Sequence, residues 1–153
     1  MEAQNHSGFD YFVGYGYYEG VHFGASYQFK SDTQSISLAL GGFYRPEYDE
    51  MLYAVTASYN IAIFRKRTDS NNLFKWHLNN KFVFWQMEDE YYKWIVVSFI
   101  PSLCRQFSIN QKLKISVDAG PALNLVLYNE RKTYEEVGWP YHVYPNFSIR
   151  LIF

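Results

Sequence analysis

Apolar and polar residues alternate one by one along most of this chain. The clearest case runs from Leu113 to Tyr128, where eight apolar residues take every odd position and residues such as Lys114 and Asp118 lie between them. Successive side chains of a β-strand point to opposite faces, so this period is typical of a strand with one apolar face. The 3.6-residue period of a helix is absent. The pattern therefore predicts a protein built from strands alone.

Eight segments of this kind follow one another, separated by polar turns. They predict an all-β fold, an eight-stranded antiparallel up-and-down barrel. We expect residues 1–8 to form a flexible N-terminus and residues 9–153 a single barrel domain. The predicted strands are Phe9–Tyr18, Val21–Lys30, Ser35–Arg45, Met51–Phe64, Leu73–Met87, Tyr91–Phe107, Leu113–Tyr128 and Tyr144–Phe153.

The residues on the polar face of the strands indicate whether the apolar face points outward to lipid or inward to a soluble core. On the third and fourth strands this face carries small residues such as Ser37, Thr56 and Ser58, and most charges lie in turns or near strand ends. A soluble barrel would cover its outer surface with Lys, Glu and Asp. Small polar residues suit a narrow lumen filled by hydrogen-bonded side chains. We therefore expect a transmembrane barrel with its apolar face in lipid.

The composition also favours a membrane location. Aromatic residues make up 21% of the 153-residue chain, more than one small soluble core would hold. Membrane barrels have a place for this excess in two aromatic girdles, and aromatic residues cluster near both predicted rims, with Trp94 at one of them. The longest nearly apolar run, Trp94 to Leu103, is far shorter than the roughly 20 residues of a spanning helix. A closed barrel is the other element that satisfies its backbone in lipid.

Charge and cysteine content limit the possible functions. A formal net charge of −1 argues against binding to nucleic acid. The lone Cys104 excludes an intrachain disulfide and has no metal-ligand spacing around it. We expect no cofactor and no metal site. The first five residues lack the basic and apolar regions of a secretory signal, so an exported chain would be a mature form with its signal removed.

The last segment is expected to carry a membrane-insertion signal. Apolar residues alternate along it and lead to an aromatic ring, which sits well at a membrane interface. Placing this end on the periplasmic side makes the connections at Glu19, Pro46, Glu88 and Asn129 extracellular. The residues of the predicted C-terminal signal are Phe147, Ile149, Leu151 and Phe153.

The first two segments and the overall pattern resemble a known family. Gly14-Tyr15-Gly16, then Glu19-Gly20, then Gly24-Ala25-Ser26-Tyr27-Gln28 look like the opening hairpin of the small eight-stranded outer-membrane barrels of Gram-negative bacteria, the OmpA/OmpX type. The strand pattern and Phe153 extend the resemblance over nearly the whole chain. It implies an outer-membrane location, contact with outer-membrane lipids and with the barrel assembly machinery, and a lumen without a wide pore. We expect a monomer.

Several titratable residues fall on the predicted inward face, where we expect them to fill the lumen with ion pairs and hydrogen bonds. Arg150 has a carboxylate on the strand at either side, and it should pair with at least one because an unpaired buried guanidinium is strongly unfavourable. Inward cations, Lys114 among them, outnumber carboxylates, so a narrow anion-favouring path is the alternative, although eight strands leave little room. The predicted network is Asp10, Lys75, His77, Lys81, Asp118 and Arg150.

Two prolines interrupt the predicted ladder. Pro101 and Pro121 take adjacent outward positions on neighbouring strands, and neither can donate a backbone hydrogen bond. We expect a local bulge or bend at this point.

Three functions fit the pattern. We expect a structural or surface-interaction barrel that presents loops around Tyr48 and Tyr134, with no catalytic residues. One alternative is a lipid-modifying outer-membrane enzyme that uses Ser, His and an acidic partner. The other is a soluble calyx-type binding barrel. Candidate residues for the enzyme are His6 with Ser7, and His142 with Glu135 and Glu136.

Overall fold

Alternating side chains make each of the eight predicted segments a strand. The computed structural model describes residues 8–29, 33–45, 50–67, 73–88, 92–110, 112–131 and 143–153. The strands are β1 (Gly8–Gly16), β2 (Gly20–Gln28), β3 (Gln34–Arg45), β4 (Glu50–Arg67), β5 (Leu73–Glu88), β6 (Tyr92–Ser108), β7 (Lys114–Arg131) and β8 (Val143–Ile152).

Each strand pairs with its neighbours in the chain, and the sheet closes on itself. All pairs are antiparallel, and β1 pairs with β8 to complete the barrel. Closure gives every strand two partners, which removes the exposed edges of an open sheet. The structure confirms the predicted eight-stranded antiparallel up-and-down barrel. Within the described part of the chain, no helix is long and apolar enough to cross a membrane.

The register staggers the barrel by ten residues. On one side, Tyr11 of β1 exchanges two backbone hydrogen bonds with Phe153, just after β8. On the other side, a path that starts at Tyr11 and crosses each strand through paired residues reaches β8 at Val143. The two positions are 153 − 143 = 10 residues apart, and this is the stagger. Such a stagger tilts the strands and leaves an interior that side chains can fill. The path runs through Tyr11, Ala25, Leu38, Ala57, Phe82, Phe99, Leu123 and Val143.

The two faces of the barrel have inverted polarity. Among the described residues, 29 large hydrophobic side chains are exposed, whereas the buried residues comprise 16 polar or charged ones and 12 hydrophobic ones. The apolar face therefore points outward, as the small polar residues of the opposite face predicted. The predicted C-terminal signal residues, Phe147, Ile149, Leu151 and Phe153, are all exposed on this outer face.

Three prolines lie side by side on the outer surface of β6, β7 and β8. Pro121 pairs with Pro145, and the β6–β7 register places Pro101 opposite Pro121. Ladder pairing stops after Phe99–Leu123 and resumes at Leu103–Ala119 without a shift. Of the predicted bulge or bend at the prolines, the unshifted register excludes the bulge, and the bend stays a prediction. The missing N–H groups remove hydrogen bonds there, while the paired strands on both sides hold the register.

The register shifts elsewhere in the barrel. One irregularity lies between Ile95 and Val96 in the β6–β7 pair, and another lies between Ala62 and Phe64 in the β4–β5 pair. Both lie near strand ends, where fewer neighbouring pairs oppose an extra residue.

Gly120 allows β6 and β7 to approach each other closely beside the prolines. A methyl group in place of its hydrogen would collide with the backbone carbonyl of Pro101 and with the backbone of Ser102. Any side chain at this position would therefore push the two strands apart.

Gly120→Ala should destabilise the barrel by about 1–3 kcal/mol, because the added methyl group overpacks a backbone contact. Gly8→Ala is the control, since nothing lies within 4 Å of a methyl group there. Denaturant unfolding followed by tryptophan fluorescence measures both changes. Equal unfolding free energies for the two variants would contradict the close approach.

Candidate functional site

The lumen gathers the buried polar side chains and is the candidate site. It consists of three parts stacked along the barrel axis. An apolar layer lies at the end of the barrel that carries the β1–β2 turn; we call this end the Glu19 end. A charge layer, formed by Glu19, Lys81, Asp118 and Arg150, lies next to it. A polar cavity opens at the other end, which we call the Phe153 end.

The apolar layer fills the lumen at the Glu19 end with aliphatic and aromatic side chains. On β5 it follows Lys81 on the same inward face, at Val83 and Trp85. The prediction of a polar lumen is therefore wrong for this layer. Its residues occupy the inward positions of their strands, but they are apolar like the residues that point outward. The contrast between a polar and an apolar face is therefore missing in this layer. The buried members are Tyr18, Leu52, Ala54, Val83, Trp85, Trp94, Val96, Ile100 and Ala122.

A chain of hydrogen bonds crosses the apolar layer and ends in the β1–β2 turn. Trp85 Nε1 donates to Ser98 Oγ over 2.8 Å, and Ser98 Oγ donates to Asn124 Oδ1 over 2.6 Å. Asn124 Nδ2 donates to the Tyr18 hydroxyl over 3.0 Å. Burial raises the pKa of the Tyr18 phenol, against the opposing effect of the Asn124 hydrogen bond. Tyr18 thus ties the turn to the barrel wall.

Lys81 is the centre of the charge layer. Its ammonium Nζ lies 2.8 Å from Asp118 Oδ1 and 3.1 Å from Glu19 Oε1, and it donates to Ser148 Oγ over 3.0 Å. The side chain is fully buried. An ammonium group has three N–H donors, so these three oxygens match its capacity.

Asp118 joins Lys81 to Arg150. Its Oδ2 accepts from Arg150 Nη2 over 3.1 Å and from Ser148 Oγ over 2.7 Å. Of the two carboxylates that the sequence left open for Arg150, the structure selects Asp118. Asp10 pairs with Lys114 instead, at 3.2 Å and partly exposed at the Phe153 end.

Glu19 is the member of the charge layer that the alternation of the chain does not reveal. The alternation predicts a turn at Glu19, but the side chain folds back into the lumen and is 2% exposed. Gly20 permits the fold with a positive φ of 63°. On β1, a methyl group at Gly16 would collide with the Glu19 carboxylate, and one at Gly14 would collide with Arg150. The two inward glycines were the signal for a large group opposite them.

Glu19 also changes the charge balance of the lumen. The described inward side chains comprise three cations and three carboxylates, and the sequence count lacked the third carboxylate. Among the described side chains the cations and carboxylates are therefore equal in number, and the anion-favouring path stays an alternative. The side chain of Lys75 lies outside the described residues. The charges counted are Lys81, Lys114, Arg150, Asp10, Glu19 and Asp118.

The polar cavity at the Phe153 end has a volume of ≈ 50 Å³. At roughly 10–15 Å³ for each water it suits a few water molecules. Arg150, a member of the charge layer, lines this cavity, and so does His77, a predicted member of the network. Cys104 also faces it, buried and 3.0 Å from Ser116 Oγ.

The residues of the enzyme alternative, His6, Ser7, Glu135, Glu136 and His142, lie outside the described residues. So do the loop residues Tyr48 and Tyr134. In the seven described ranges, His, Cys, Asp and Glu side chains form no group of three that could hold a metal ion. The chain matches no protein-family model, no curated protein and no solved structure. The geometry alone therefore carries the functional argument.

Lys81→Met should destabilise the barrel by about 3–5 kcal/mol, because it leaves buried carboxylates without their cation. Adding Glu19→Gln should restore part of the loss by removing one of these charges. The control is Lys93→Met, which breaks a half-exposed pair with Glu88 at 3.5 Å and should cost about 0–1 kcal/mol. Denaturant unfolding of the four proteins measures the effects. Similar costs for the two lysines would show that the charge layer contributes little.

Proposed function

We propose that this chain is a membrane-spanning β-barrel of a bacterial outer membrane, with a closed lumen and a structural or surface-interaction role. The observation that carries the proposal is the inverted polarity of the barrel, with hydrophobic side chains outside and paired charges inside. A soluble monomer rarely exposes an apolar patch beyond a few hundred Å². Here the apolar surface extends over all eight strands.

The height of the apolar surface supports a membrane span. On β4 every outward residue from Met51 to Ile63 is apolar or aromatic, and on β7 every one from Ile115 to Leu127 is apolar. Thirteen residues at about 3.3 Å each, tilted by about 40°, cover roughly 30 Å along the axis. The hydrocarbon core of a bilayer is about 30 Å thick.

The distribution of rings and charges on the outer surface also supports it. Exposed aromatic side chains lie near both ends of the barrel, as in two girdles, although others lie between them. The outward charges of Glu88, Lys93 and Arg105 lie near the ends of their strands. Trp94, predicted near a rim, points into the apolar layer. The girdle residues include Tyr15, Tyr17, Tyr44 and Tyr53 at one end and Phe9 and Phe153 at the other.

The filling of the lumen favours a closed barrel and argues against a calyx-type binding barrel. A calyx needs an apolar cavity, and small-molecule sites typically measure about 300–1,000 Å³. In this barrel Val83, Val96, Ile100 and Ala122 have no exposed surface, and the cavity at the Phe153 end is polar and ≈ 50 Å³. The oxygens of Asp118 are occupied by Lys81, Arg150 and Ser148, so this buried carboxylate has a structural role.

The part of the wall at the Glu19 end supports a surface-interaction role. The pairing of β6 with β7 continues past the apolar band, through Lys93–Glu130 to Tyr92–Arg131. We place these last pairs outside the membrane, where the charged side chains of Lys93 and Glu130 can contact other molecules.

The proposal is tested by refolding the chain with and without lipid. Far-ultraviolet circular dichroism should show β-structure in detergent micelles, and the refolded chain should float with phospholipid vesicles in a density gradient. In plain buffer it should aggregate, because the apolar outer face would meet water. A folded, monodisperse monomer in detergent-free buffer would contradict the membrane location. Steady current through the inserted protein in a planar bilayer would contradict the closed lumen.

Leu123→Arg should impair insertion although Leu123 is exposed, because a cation near the bilayer midplane costs about 2–4 kcal/mol. Leu127→Arg is the matched control on the same face of β7, at the edge of the proposed hydrocarbon region, where the cost falls to about 0–1 kcal/mol. Unfolding from lipid vesicles by denaturant measures both. A soluble barrel would tolerate the two substitutions equally.

A further inference from the structure

Arg105 is held between aromatic rings on the outer surface at the Phe153 end. Its guanidinium carbon lies 5.2 Å from the centre of the Trp76 ring and 4.7 Å from that of Phe107. Stacking of this kind stabilises a guanidinium through cation–π attraction. It also orients the planar fork of N–H donors, which matches phosphate oxygens in a bidentate manner. A cation is therefore fixed at the level of the aromatic girdle.

A column of outward pairs leads from Arg105 toward the middle of the barrel. Along β5 and β6 the pairs are Trp76–Arg105, Leu78–Leu103, Asn80–Pro101 and Phe82–Phe99. The two pairs farthest from Arg105 lie beside a concave apolar groove of ≈ 880 Å³, and Asn80, Phe82 and Phe99 are among the residues that line it. Small side chains at Ala25 and Ala57, among large neighbours, give the groove its depth.

We propose that this surface binds one glycerophospholipid molecule, with its phosphate at Arg105 and an acyl chain in the groove. The inference rests on the proposed membrane location. Beyond that location, it assigns a binding site for one lipid whose headgroup carries a phosphate.

The dimensions agree with one leaflet of a bilayer. From Arg105 to Phe99 the strand advances six residues, or about 20 Å at 3.3 Å per residue. With the strands tilted by about 40°, this is roughly 15 Å along the barrel axis, half of the hydrocarbon core. A lipid whose phosphate lies at the girdle would therefore bring its chain alongside Asn80 and Phe82.

A second copy of the chain fits this surface less well. The groove is lined by 12 residues, whereas a stable protein interface takes about 20–30 residues a side. The charged group at its base is a cation, and the outward residues above it carry no charge. A lipid with one phosphate and a long apolar chain has the complementary chemistry.

The test measures lipid retained by the refolded full chain in native mass spectrometry. The probes are dipalmitoyl phosphatidylglycerol and dipalmitoylglycerol, which has the same chains and no phosphate. We expect one retained molecule of the phospholipid and none of the neutral lipid. Arg105→Gln should reduce retention about fivefold, as expected for loss of one cation near a membrane surface. Ala57→Phe should reduce it as well, by filling the groove.

The controls place the same changes elsewhere on the outer surface. Lys93→Gln removes an outward cation at the Glu19 end, and Ala119→Phe enlarges an outward alanine of β7 outside the groove. Neither should change retention. Unchanged retention in Arg105→Gln, equal retention of the neutral lipid, or equal losses in the controls would each overturn the inference.

Vesicle flotation of every variant separates this inference from the proposed function. A wild-type chain that fails to insert contradicts the membrane location itself. A chain that inserts but retains lipid without selectivity contradicts only the phospholipid site. If the Ala57→Phe variant fails to insert, the phospholipid retention of Arg105→Gln compared with that of Lys93→Gln still tests the phosphate site.

Discussion

One buried ammonium group joins the parts of this barrel. Lys81 on β5 contacts Asp118 on β7, Ser148 on β8 and Glu19 in the β1–β2 turn, so a single side chain bridges the lumen from wall to wall. Removing these charges from water is costly, and only the complete set of partners offsets that cost. The contacts therefore require the strands to close in one register. A one-residue slip would turn Lys81 outward and leave the carboxylates buried alone.

Two glycines on β1 and one in the turn make room for this contact. Without side chains at Gly14 and Gly16, the lumen has space for Arg150 and for the carboxylate of Glu19. The positive φ of Gly20 then directs Glu19 back into the barrel. The hairpin that looks like a simple opening strand pair is thus also the part that completes the charge layer.

The lumen and the outer surface follow different rules. In the proposed membrane location, the outer surface would need only apolar side chains of any shape, because lipid adapts to them. Inside, each layer must fill a fixed width, with paired charges in one layer and interlocking residues such as Val96 and Ile100 in the next. The outer surface becomes specific only where shape and charge coincide, at Arg105 and the groove above it. That is where a particular lipid, rather than any lipid, would be recognised.

The two-residue alternation by itself determined the strands and their number, because the facing of successive side chains is a local property of an extended backbone. The small, mostly uncharged residues of the polar face then predicted that the apolar face points outward. The alternation also placed Lys81, Asp118 and Arg150 on the inner face. It missed the inward turn of Glu19 and the apolar layer, and of the bulge or bend that it predicted at Pro101 the bulge is excluded. Those features depend on contacts between residues far apart in the chain, such as Lys81 and Glu19 with a separation of 62 positions. Only the stagger of the closed barrel decides which of them meet, and no short stretch of sequence encodes that stagger.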